Sequence, residues 1–211
     1  EQVQKRVSNS CTVSAGAVSY GEKLDKSGRL LYQYAENALD RAKTRGKSQL
    51  AFFSSDDFKK SLSAIDLQEE MRQSVQNNFC GFSLCYQPQI DGQTYQLLGA
   101  EALLRYDSPS RGTVDPSEFV PILERSELIC PVGQWVMETA LHQCKIWREA
   151  IPRFHISVNL SYVQLKKEGF PQTVFQALDQ IGLPGDALTL EVTESIQLQD
   201  YQWFNQIFCD W

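Results

Sequence analysis

The chain has 211 residues, 42% of them hydrophobic, and a formal charge of −6. That is enough for one large core or two small ones, while the dispersed, acidic charge excludes a basic nucleic-acid-binding surface. The six cysteines (Cys11, Cys80, Cys85, Cys130, Cys144, Cys209) form no Cys-x-x-Cys pair and the only histidines are His142 and His155, so buried free thiols in a reducing compartment are expected rather than zinc or disulfides.

The alternation of Cys11, Val13, Ala15 and Ala17 with polar neighbours predicts a strand over Val7 to Val18, followed by a polar loop from Tyr20 to Gly28. Leu30 to Lys43 has helical spacing, with Leu31, Tyr34, Ala35, Ala38, Leu39 and Ala42 on one stripe and Gly46 as a stop signal. Gln49 to Phe53 reads as a short strand. Strand, helix, strand is the end of an α/β domain.

The stretch Val13-Ser14-Ala15-Gly16-Ala17, with Tyr34-Ala35-Glu36-Asn37-Ala38-Leu39-Asp40-Arg41-Ala42-Lys43-Thr44-Arg45-Gly46-Lys47, resembles the C-terminal part of a GGDEF (diguanylate cyclase) domain. It departs from that family at Glu36, where an aspartate is usual, and at Asp40, where a tyrosine is usual. The GGDEF signature itself is not among the 211 residues. The resemblance implies that Lys43 reaches a nucleotide phosphate, with GTP as the ligand. A solvated lysine near a helix C-terminus is an equal reading.

Asp56 to Asn78 predicts a connecting helix with Phe58, Leu62, Ile65, Met71 and Val75 on one face. The expected domains are residues 1–56, a linker helix over 57–78, and residues 79–211.

Beyond the linker, Phe82 to Gln89 reads as a strand ended by Pro88 and the turn Asp91-Gly92. The run from Tyr95 to Tyr106 is a second strand, with Gly99, Glu101, Leu103 and Arg105 on one face and Ala100, Ala102 and Leu104 on the other. Ser117 to Glu124 is a helix with Ser117 as its expected N-cap. Val132 to Ala150 is a longer helix, in which Trp135 and Trp147 are expected to pack in the core. A strand over His155 to Ser161, a helix over Phe170 to Ile181 closed by Gly182, a strand over Leu188 to Thr193 and a helix from Tyr201 to Trp211 complete the pattern. Strands alternating with helices predict a parallel sheet with helices outside.

Alternation places Asn159 opposite the apolar face of Ile156, Val158 and Leu160, and Glu191 opposite that of Leu188, Leu190 and Val192. Three neighbouring strands therefore each offer one hard oxygen donor, from Glu101, Asn159 and Glu191. Such donors suit magnesium or manganese. In a β/α barrel, residues near the strand C-termini form the active-site face.

The runs Tyr86-Gln87-Pro88, Gly99-Ala100-Glu101-Ala102-Leu103-Leu104-Arg105, Glu118-Phe119-Val120-Pro121 with Glu124, Trp135-Val136, Val158-Asn159-Leu160-Ser161 with Gln164-Leu165, and Leu190-Glu191-Val192-Thr193-Glu194-Ser195 resemble the EAL family of cyclic di-GMP phosphodiesterases. The likeness runs from about Phe79 to the last residue, and Tyr106 stands where the family often has tryptophan. It implies an α/β TIM-like barrel whose metal ligands, for Mg²⁺ or Mn²⁺, are Glu101, Asn159 and Glu191. Gln87, Leu104 and Arg105 would contact cyclic di-GMP, and Glu194 would brace the following loop. The family's Asp-Asp-Phe-Gly-Thr-Gly strand motif, and its later lysine, glutamate and glutamine, do not occur in these residues. With a full barrel taking about 250 residues, the expectation is a fragment: the tail of one domain and the first half of another, inactive alone. Its parent is expected to hydrolyse cyclic di-GMP to pGpG as a homodimer. A receptor or scaffold with degenerate domains is the alternative. With no apolar run of spanning length and no signal peptide at the start, a cytoplasmic site is expected, any membrane anchor lying upstream.

Overall fold

The computed structural model describes residues 12–18, 28–44, 46, 48–53 and 55–192. The chain divides into two compact units, residues 1–66 and 67–211.

The first unit contains β1 (Ala15–Ala17), α1 (Gly28–Thr44) and β2 (Leu50–Phe52), with β1 and β2 parallel. Ala38, Ala42 and Ala51 are its buried centre, Phe53 packs against them, and Tyr34 stacks on Phe53 with ring centroids 4.1 Å apart. Small residues dominate because the helix lies very close to the strand. A Cβ on Gly16 would stand 2.1 Å from the Ala35 carbonyl oxygen, so only glycine fits. The predicted strand start over 7–11 and most of the loop over 20–28 lie outside the described residues; Gly28 opens α1.

Helix α2 (Ser55–Gln76) crosses the division. Its expected single apolar face is not observed: Leu67 and Met71 are buried whereas Leu62 and Ile65 are exposed. At about 3.6 residues per turn, nine residues make two and a half turns, so Leu62 and Met71 point in opposite directions. The sequence reading merged two stripes and overlooked Leu67.

The second unit continues with β3 (Phe82–Ile90), β4 (Leu97–Ser108), β5 (Gly112–Val114), α3 (Pro116–Arg125), α4 (Ile129–Arg148), β6 (His155–Leu160), α5 (Tyr162–Leu165), α6 (Phe170–Ile181) and β7 (Leu188–Val192). The sheet runs β3-β4-β6-β7, with β5 paired to β4 beyond that path. β3 and β5 are antiparallel to β4, while β4, β6 and β7 are parallel. One face packs under the helices: Ala100, Ala102, Tyr106, Ile156, Val158 and Leu160 are buried there. Phe119 and Leu123 of α3, Val132 and Ala140 of α4, and Val174 and Leu178 of α6 are buried as well. Trp147 meets Tyr86 and Phe154 edge-on, and Trp135 stacks on Phe79, so both tryptophans serve packing.

Several local expectations are corrected. The N-cap of α3 is Asp115, not Ser117; its carboxylate accepts from the Ser117 amide at 2.8 Å and hydroxyl at 2.5 Å, and Pro116 follows with φ already set for a first turn. Pro88 does not end β3 but pairs with Ala100 inside it. Among the described strands β3 lies at the sheet edge, where a missing N–H breaks no ladder. α4 begins at Ile129, because Pro131 is tolerated in a first helical turn. β5 and α5, three and four residues long, were not foreseen; they are too short for a periodic signal. The free thiols are not all buried: Cys144 is, while Cys80 and Cys85 are exposed, and Cys11 and Cys209 lie outside the described residues. The helix expected over 201–211 lies outside them too.

Candidate functional site

Register assembles the site. Glu101 opposes Gln87 across the antiparallel β3–β4 pair and Ser157 across the parallel β4–β6 pair. One strand further on, Asn159 opposes Glu191. Opposed residues share a face, so Gln87, Glu101, Asn159 and Glu191 all project from the face away from the helices, as alternation had required.

Asn159 Nδ2 donates to Glu101 Oε1 at 2.7 Å, which ties the first two donors together directly. Glu101 and Glu191 are half-buried and Asn159 is exposed. Among the described residues, no lysine, arginine or histidine lies within ion-pair distance of Glu101 or Glu191. A half-buried carboxylate whose hydrogen bond comes from a neutral amide is suited to a cation. Two carboxylates and an amide form an all-oxygen donor set, the chemistry of a hard divalent ion. No three His, Cys, Asp or Glu side chains cluster into a metal cage among the described residues. The set is therefore the mixed one, and water or further side chains would have to complete it.

Arg105 follows Glu101 by four residues on the same strand and face. It is half-buried, and its Nη1 donates to the Leu104 carbonyl at 2.9 Å. The Asp115 carboxyl is held below the usual carboxylate range, chiefly by the hydroxyl and amide of Ser117, with the positive charge of Arg105 adding to the effect. Leu104 alternates onto the helix-facing side, away from Glu101 and Gln87. It borders a groove of about 470 Å³ that also touches Arg105, Val120, Pro121, Glu124 and Asn159. Gln87 is exposed on the outer strand of the described sheet. Glu194 lies outside the described residues.

Sequence reasoning gave no role to the structure just past Asn159. Ser161 caps α5, accepting from the Val163 amide at 3.3 Å, and its own hydroxyl donates to Glu124 Oε1 at 2.7 Å. Gln164 Oε1 accepts from the Ser161 amide at 3.2 Å, completing a capping box. The Ser-x-x-Gln spacing was the available signal.

Comparison with known proteins places the chain in a family. The EAL domain model matches residues 68–211. The chain belongs to the EAL domain family. It is 34% identical over 200 residues to the oxygen sensor protein DosP of Escherichia coli, covering 93% of this chain and 24% of that protein. It is 32% identical over 167 residues to the bifunctional diguanylate cyclase/cyclic di-GMP phosphodiesterase MucR of Pseudomonas aeruginosa, covering 79% of this chain and 24% of that one. The chain thus spans about a quarter of these relatives. Among solved structures it is similar to a PaMucR phosphodiesterase in complex with c-di-GMP, with a TM-score of 0.62 and 32% identity over 68% of this chain and 60% of that one. It also resembles the EAL enzyme Bd1971 bound to cAMP and cyclic di-GMP, with a TM-score of 0.64 and 27% identity over 89% and 50% of the two chains. The mixed α/β fold is that of EAL domains. No helix among the described residues is long and apolar enough to cross a membrane.

Proposed function

We propose that the protein carrying this chain hydrolyses cyclic di-GMP to linear pGpG. The observation that carries the reading is the 2.7 Å contact of Asn159 with Glu101, with Glu191 in register beside Asn159. Glu101, Asn159 and Glu191 hold Mg²⁺ or Mn²⁺ through oxygen. A pair of such ions, when bound, would supply electrostatic stabilisation of the displacement at phosphorus and lower the pKa of water. Arg105 brings a guanidinium to a phosphate oxygen, for which its planar fork is suited. Gln87 offers an amide to the same ligand, and Leu104 an apolar edge. Among the described residues, the donors Glu101, Asn159 and Glu191 suffice for one ion of such a pair.

Residues 1–56 are read as the C-terminal part of a GGDEF-like domain, residues 57–78 as linker and 79–211 as the EAL part. The close β1–α1 approach at Gly16 supports this, as does the bifunctional name of MucR. GTP at that domain, a homodimeric parent and a cytoplasmic site complete the reading.

The test incubates the protein at its natural length with cyclic di-GMP and Mg²⁺ or Mn²⁺ and separates the products by anion exchange. Metal-dependent pGpG is expected. Folded protein that binds cyclic di-GMP and releases no pGpG is a receptor, and the reading fails.

A further inference from the structure

Asn159 is the second-last residue of β6, so its side chain is only as fixed as the turn that follows it. That turn is α5, a single turn of four residues. A helix that short has no stability of its own; it persists because its ends are bonded from outside. Two hydrogen bonds and one close packing contact hold it. From α3, Glu124 accepts the Ser161 hydroxyl at 2.7 Å. From within α5, Gln164 accepts the Ser161 amide. From α4, Gly133 leaves room for the Gln164 side chain: a Cβ there would lie 1.9 Å from Gln164 Nε2. Ser161 and Gln164 are both buried, so these bonds form where water competes poorly and a lost partner is costly.

Among the described residues, Glu124 makes no ion pair and its side chain has Ser161 as its hydrogen-bond partner. It is half-buried, one position past the buried Ile122 and Leu123. Its hydrogen-bond partner Ser161 is separated from Asn159 by one residue, Leu160. We propose that Glu124 is a positioning residue: through Ser161 it fixes the end of β6, and so holds the Asn159 amide where it meets Glu101 and a divalent ion. This rests on reading Glu101, Asn159 and Glu191 as the metal ligands. Removing a partner bonded directly to a ligand typically costs about 10–100-fold in metal affinity, and Glu124, which acts one step further out through Ser161, belongs at the low end of that range.

The test measures Mn²⁺ affinity by electron paramagnetic resonance, on protein of natural length without substrate, with thermal melting as a check on folding. Wild type and Glu101→Ala come first. If wild type binds no Mn²⁺, or Glu101→Ala binds it as well as wild type, the ligand reading itself is wrong. If that control holds, Glu124→Ala and the nearly isosteric Glu124→Met are expected to weaken Mn²⁺ binding about tenfold. Glu124→Gln keeps an acceptor for Ser161 and is expected to bind as wild type. In a Ser161→Ala background, Glu124→Ala is expected to add no further loss. Wild-type affinity in both Glu124→Ala and Glu124→Met overturns the proposal. So does a Glu124→Gln protein as weak as Glu124→Ala, since charge rather than the hydrogen bond would then be what matters. Additive losses in the double variant overturn it as well. Should Glu124→Ala melt below the assay temperature, Glu124→Met and Glu124→Gln carry the comparison.

Discussion

The two faces of the β3-β4-β6-β7 sheet are made by the same strands but ordered by different forces. On the helix side, Ala100, Ala102, Ile156, Val158 and Leu160 are buried against α3, α4 and α6, and area removed from water sets their arrangement. On the other side stand Gln87, Gln89, Glu101, Ser157, Asn159 and Glu191, where direction matters more than area. Gln89 Nε2 reaches Ser157 Oγ at 3.3 Å, while its buried Oε1 makes no hydrogen bond among the described residues. A face that keeps carboxylates and an unsatisfied amide oxygen is not shaped for stability. The difference teaches where to look for chemistry: polar groups retained against their desolvation cost, on one side of a sheet whose other side obeys ordinary packing.

Substitution on each face should therefore separate activity from stability. The largest effect is expected for Glu101→Ala. On the proposed ligand reading, loss of Glu101 removes several kcal/mol of transition-state stabilisation, about a thousandfold or more in turnover. The melting temperature should barely move, because no core packing is lost. Steady-state kinetics beside calorimetry checks both halves, and full turnover by Glu101→Ala protein would refute its metal role.

Tyr106→Phe should show the reverse pattern. Tyr106 is fully buried on the helix side of β4, and its hydroxyl lies 3.0 Å from Ser74 Oγ of α2. Deleting one partner leaves the other unsatisfied, at a cost of about 1–3 kcal/mol. Removing both, in Tyr106→Phe with Ser74→Ala, should recover most of that. Denaturant titration reads the effect, and Mn²⁺ affinity should stay unchanged in the folded protein. A double variant no more stable than Tyr106→Phe alone would show that the two hydroxyls do not act as a pair.

The division between faces explains what the sequence revealed. Strand alternation has a period of two, so placing Glu101, Asn159 and Glu191 on one side needed no tertiary information, and register then brought them together as neighbours. Leu104 shows the limit of that logic. Its place in the ligand set came from family resemblance, while its alternation puts it with Ala102, away from Glu101. The α2 stripe failed for a different reason: an amphipathic reading over 20 residues tolerates a half-turn slip that only a packed partner resolves. The N-cap shift from Ser117 to Asp115 was a local contest between two good caps, decided by Pro116. The Glu124–Ser161 bond joins residues 37 apart in sequence, a pairing that no local pattern encodes.

The smallest effect concerns a third carboxylate, which sharpens the contrast with Glu101. Glu70 on α2 accepts hydrogen bonds from the hydroxyls of Ser108, at the end of β4, and Ser110, in the turn that follows. Glu101 accepts from a single amide, that of Asn159, whereas Glu70 accepts from two hydroxyls. The Ser108 bond, then the Ser110 bond, hold the Glu70 carboxyl below its ordinary value, with the charge of Arg111 adding to them and partial desolvation opposing them. A folded-state pKa below the unfolded one means that the ionised form binds the native structure better. The contribution is therefore complete above the ordinary glutamate range of about pH 4.3, declines as pH falls through the folded value, and is absent below it. Glu70→Gln keeps the shape and an acceptor but removes the charge. The melting temperature of wild type should exceed that of Glu70→Gln by a small, constant margin near neutral pH, and the margin should close on acidification. A margin that persists in acid, or that widens there, would show that Glu70 holds the hairpin through packing rather than through its charged hydrogen bonds.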